Sequence, residues 1–150
     1  MSRVDVSGSP RGLLHPGLIA AGSTLLIATF VSDVLYWQTL LFQWNNVSEW
    51  LLAAGLILAA LAAVAFIIDS VLARGGRIAW LRLAALAAAA ILGSLNAFVH
   101  SRDGYTAVVP EGIILSAIVT VILISVGLSG GWSLVSRRAL PVAQIGEIRP

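Results

Sequence analysis

The chain of 150 residues has no cysteine and no lysine, and only 11% of its residues are charged. Without cysteine there are no disulfides, zinc–thiolate or iron–sulfur centres, and no nucleophilic thiol. The usual short signatures of catalysis are missing too: there is no GxSxG, HExxH, Walker loop or GxGxxG. His100-Ser101-Arg102-Asp103 holds residue types used in hydrolysis, but a triad is defined by spatial geometry and not by adjacency. No enzymatic activity is expected from these motifs.

Apolar residues are abundant. They make up 59% of the chain, with a mean hydropathy of +0.96. A soluble domain carries about a quarter charged residues, so this surplus needs lipid to cover it, and the bilayer is the first expected partner. The net charge of +2 comes from nine arginines against seven acidic residues. Those arginines punctuate apolar runs, whereas a nucleic-acid footprint clusters on one solvated face, so no nucleic-acid partner is expected.

A hydrocarbon core of about 30 Å needs roughly 20 apolar residues in a helix. Four runs meet this, at about residues 17–42, 48–72, 79–99 and 110–134. The expected fold is all-α: an integral membrane four-helix antiparallel bundle over residues 13–136. A short N-terminal segment (1–12) and a C-terminal tail (137–150) flank it. Ser48 is read as a helix N-cap, and Pro110 as a first-turn residue. Arg3, Arg11, Arg74, Arg77, Arg82, Arg137, Arg138 and Arg149 fall on one side of these spans, and only Arg102 on the other. By the positive-inside rule both termini are then cytoplasmic in a bacterial inner membrane. Trp37, Trp44 and Trp50 would mark the outer boundary, and Trp80 and Trp132 the inner one.

Small residues permit close helix contact in lipid. Gly55, Ala59, Ala62 and Phe66 share one face of the second run, and Ala85, Ala89, Gly93 and Asn96 one face of the third; in the fourth, Gly127 and Gly131 make a GxxxG pair beside Ser116 and Thr120. These stripes are expected to pack the bundle, or to join subunits of a homo-oligomer.

An ionisable residue inside a span needs a partner or a water-filled cavity. Asp33 lies eighteen residues after His15, about 27 Å along a helix. Asn96 and His100 share a helix face that ends on the same side. An outer polar cluster of Asp33, Asn96, His100, Arg102 and Asp103 is therefore expected, and an inner one of His15, Asp69 and Arg74. Either is read as a structural network or as a proton, ion or substrate site. No metal or cofactor is expected, although two histidines raise the question of b-type haem. With His15 and His100 at opposite ends, one iron cannot take both within a protomer.

Several stretches together resemble a known family. They are Leu14-His15-Pro16 ahead of a span, Asp33 late in it, and Glu49-Trp50-Leu51-Leu52-Ala53-Ala54-Gly55-Leu56. Phe66-Ile67-Ile68-Asp69 and Asn96-Ala97-Phe98-Val99-His100-Ser101-Arg102-Asp103 complete the pattern. The chain resembles, over about residues 13–130, the small bacterial membrane proteins catalogued as domain of unknown function 2231. The resemblance implies four inner-membrane spans and supplies no activity. Members often carry a second histidine soon after the His-Pro pair. Gly17-Leu18-Ile19-Ala20 has none, which weakens a metal or haem role at that end.

The leading functional expectation is a non-catalytic anchor, assembly or accessory subunit of a membrane complex. The alternatives are a small oligomeric transporter or channel using Asp33 and His100, and a haem- or quinone-binding electron-transfer protein.

Overall fold

A computed structural model describes residues 14–71, 77–102, 108–129, 131, 132 and 134–136. Arg74, Asp103 and both terminal segments lie outside the described residues. Four helices form the molecule: α1 (Leu14–Thr39), α2 (Phe42–Val71), α3 (Trp80–His100) and α4 (Ile113–Leu128). All four, α4 together with the turn before it, are long and apolar enough to cross a membrane. Large apolar side chains such as Ile57, Ile67, Ile91, Phe98 and Val121 point outward, while His15, Thr29, Asp33, Asn45, Ser48, Asn96, His100 and Ser116 are buried. A chain that turns apolar groups out and polar groups in is built for hydrocarbon surroundings.

Several helix ends differ from the sequence reading, each for a local reason. The second helix starts at Phe42, not Ser48, because α1 and α2 are joined by only Leu40 and Leu41. Leu40 takes a left-handed φ of 55° while its N–H donates to the Tyr36 carbonyl at 2.7 Å. This is a tight αL stop on a residue that seldom adopts it. Ser48 is thus an interior residue of α2 and not its cap. At the other end Pro110 does not open a regular helix: Val108–Gly112 form a wide turn, with Val109 extended, before α4 begins.

The fourth helix stops at Leu128 rather than about residue 134. Gly131, with φ of +77°, turns the chain back, so the GxxxG pair is a helix stop and not a packing face. A Cβ at Gly127 would sit 3.0 Å from the Trp132 ring, which folds over it. Beyond the turn, Val135–Ser136 (β2) pairs antiparallel with Arg77–Ile78 (β1). This short ladder ties the segment after α4 to the start of α3.

The α1–α2 pairing is the most extensive, and α2 meets α3 least among sequential helices. Gly22 and Gly55 let α1 and α2 approach closely: a Cβ on Gly22 would lie 3.1 Å from the Gly55 carbonyl oxygen. The buried apolar layer of Leu26, Leu52, Ala89, Val119 and Leu123 draws on all four helices. A smaller one of Ile19, Ala62 and Leu134 lies toward the His15 end.

Candidate functional site

At the far end of α1, Thr29, Ser32, Asp33 and Tyr36 are buried on one face, as the i, i+3, i+4 and i+7 spacing of a helix dictates. Asp33 is wholly enclosed, and its carboxylate is the meeting point of the bundle. Ser48 of α2 donates to Oδ1, His100 Nε2 of α3 lies 3.1 Å from the same oxygen, and Ser116 of α4 donates to Oδ2 at 2.7 Å. One carboxylate therefore joins all four helices.

The imidazole is fixed from its other side. His100 Nδ1 is 3.0 Å from the Asn96 carbonyl oxygen. That oxygen only accepts, so Nδ1 carries a hydrogen. One proton shared between Nε2 and Asp33 Oδ1 would leave the Asp33–His100 unit neutral overall, whichever atom held it. This form of a carboxylate is the least costly to bury.

The expected outer cluster is thus partly assembled. Asp33 and His100 meet. Asn96 contributes its backbone carbonyl, while both polar atoms of its buried side-chain amide lack a partner. Arg102 stays outside, exposed and 3.4 Å from Glu111, and Asp103 is outside the described residues. An exposed ion pair contributes little, so Arg102→Gln is expected to change thermal stability in detergent by less than about 0.5 kcal/mol. A larger loss would tie Arg102 to the buried cluster.

Ser48 and Ser116, two of the carboxylate's three partners, are not singled out with Asp33 by the sequence. Ser48 reads in the sequence as a helix cap because Gln43, Asn45 and Asn46 precede it. Ser116 reads as a small residue beside the GxxxG pair. Its position one turn into α4, on the face shared with Thr120, was the available signal.

One turn below Asp33 the next layer holds Thr29, Leu52, Asn96 and Thr120, by helical spacing in antiparallel helices. The Thr120 hydroxyl, like the Asn96 amide, is buried without a partner. Below that the interior is apolar apart from the buried Ser23. The buried polar groups of the described residues do not run from one end of the bundle to the other.

At the opposite end, His15 Nδ1 is 3.3 Å from Asp69 Oδ2, which brings together two members of the expected inner cluster. Arg74 is outside the described residues. His15 is fully buried, packs edge-on against Phe66 with ring centroids 5.6 Å apart, and leaves Nε2 without a partner. No group of three or more potential metal-ligating side chains occurs among the described residues. Haem does not fit the pair of histidines: His15 lies at the start of α1 and His100 at the end of α3, beside the far end of α1, and both ring nitrogens of His100 are engaged.

No curated protein and no solved structure matches the chain. A family model described as predicted membrane protein, domain of unknown function 2231, matches residues 12–144. The expected resemblance therefore holds over the spans and their connections, and the chain belongs to this family of membrane proteins of unknown function.

Proposed function

We propose that the chain is a non-catalytic module of a bacterial inner membrane, serving as an anchor, assembly partner or accessory subunit of a larger membrane complex. The observation that supports this reading is the closure of the Asp33 site. Both carboxylate oxygens are taken by groups of the other three helices, which leaves no position for a substrate. A buried polar network of this kind fixes which faces meet, a property useful in a component that others assemble on. Both termini lie in the cytoplasm in this proposal, supported by the sequence positions of eight arginines on one side of the spans against one on the other.

Mild solubilisation of native membranes followed by affinity capture of the tagged full chain tests this. Recovery in a larger hetero-complex is the expected result. A chain that always emerges alone, or only with its own copies, overturns it.

A transporter built on Asp33 and His100 is the second reading, favoured by the unpartnered Asn96 and Thr120 one turn below. Leu26, Leu52 and Leu123 interrupt any such route inside one chain, so it requires an oligomer. Proton or ion flux into liposomes holding the chain alone would establish it.

A further inference from the structure

A groove of about 750 Å³ runs between the start of α3 and the end of α4. Trp80, Arg82 and Ala85 line it from α3, and Val121, Ser125 and Ser129 from the α4 side. Trp80 and Val121 are exposed, and all of these but Ser129 lie within candidate membrane spans. The groove therefore opens on lipid. From Ser129 to Val121 is a rise of about 12 Å along the helix, close to the depth of one leaflet in a hydrocarbon core of about 30 Å. That depth suits one acyl chain.

The charge on its walls is of one sign. Among the described residues that line the groove, Arg82 alone is charged, and it sits at the end where both spans stop. Its Nη2 donates to the Ser129 carbonyl oxygen at 2.7 Å. This contact holds the guanidinium at the groove mouth, and a carbonyl has no net charge to set against it. No acidic residue occurs from Ser70 to Arg102 or from Gly112 to Gly146, so neither α3 nor α4 opposes an anion there. Trp80 adds an indole at the same level, a residue type enriched where membrane meets water. An apolar groove with a cationic mouth at head-group level complements an amphiphile whose head is negative.

We propose that this groove binds one anionic phospholipid of the surrounding leaflet, of the phosphatidylglycerol class. The phosphate lies on the Arg82 guanidinium, and one acyl chain follows the groove past Ala85 to Val121. A zwitterionic lipid offers the same phosphate, but its own ammonium group offsets the attraction. This binding is independent of the accessory role proposed above.

The test reconstitutes the full chain in vesicles of equimolar dioleoyl phosphatidylglycerol and dioleoyl phosphatidylcholine. Native mass spectrometry after extraction into mild detergent then identifies the lipid that each chain retains. One phosphatidylglycerol per chain is expected, about fivefold over phosphatidylcholine, the weight of roughly 1 kcal/mol for one basic group at an anionic surface. R82Q keeps a donor for the Ser129 carbonyl but no charge, and should erase the preference while leaving phosphatidylcholine retention. R82K should keep the preference. V121W fills the groove from its lipid-exposed side without touching Arg82, and should lower retention of both lipids about tenfold. V121C gives the cysteine-free chain a single thiol and should stay monomeric under oxidation in the vesicles. Equal retention of the two lipids by the wild type, an undiminished preference in R82Q or unaltered retention by V121W would overturn the proposal. So would a disulfide-linked V121C dimer, which gives the groove to a second copy.

Discussion

Asp33→Ala is expected to lower stability by about 3 kcal/mol, at the low end for breaking a buried charge pair. The change leaves His100 Nε2 in the bundle interior with only the Ser48 hydroxyl, 3.4 Å away, to replace the carboxylate. The two serines limit the loss, because their hydroxyls have second acceptors: Ser48 lies 3.5 Å from the Thr29 carbonyl oxygen and Ser116 3.2 Å from that of Ile113. His100→Ala leaves the carboxylate with two hydroxyl donors and without its proton-sharing partner, and a loss of similar size is expected.

The combination separates a joint role from two separate ones. If Asp33 and His100 act as one neutral unit, the double variant loses less than the sum of the singles by about 1.5 kcal/mol or more, as expected for residues in one network. Reversible unfolding in mixed micelles measures all three variants. Additive losses would mean that each side chain is held by its own neighbours and that the four-helix clasp is not a unit. Ser116→Ala should cost only about 1 kcal/mol, one neutral hydrogen bond.

The glycine crossing between α1 and α2 carries the other large effect. Gly55→Ala would put a Cβ 2.8 Å from Leu26 Cγ and 3.2 Å from the Gly22 carbonyl oxygen. Gly22→Ala would place one 3.2 Å from the Leu58 Cβ. Neither backbone can yield without separating the helices, so each change is expected to cost about 1–3 kcal/mol. A bulkier Gly22→Val should cost more. Gly17, about one and a half turns from Gly22 toward the N-terminus, has nothing within 4 Å of its notional Cβ. Gly17→Ala should therefore be neutral, or stabilising by up to about 1 kcal/mol through helix propensity. Thermal melts of the three alanine variants in one detergent decide the matter. Equal behaviour of Gly17 and Gly55 would show that close approach is not what holds α1 on α2.

Both expectations depend on contacts across helices, which sets the limit of what periodicity and composition reveal. The four spans were legible because every crossing needs about twenty apolar residues, and Asp33 and His100 stood out because an ionisable group in such a run needs a partner. The separation of His15 from His100 followed from helical rise alone.

The sequence by itself thus determined an all-α chain of four spans, the two polar ends and the family. Tertiary structure decided what each polar residue does. Asn45 and Ser48 look like loop because polar residues in a soluble protein face water, yet at the Asp33 end of this bundle the polar side chains turn inward. Gly127 and Gly131 look like a packing face because spacing does not report φ, and only the chain path shows that Gly131 ends the helix. The completed Asp33 site arises from groups far apart in the chain, such as Asp33 and Ser116. Their convergence depends on helix register and rotation, which local pattern does not encode.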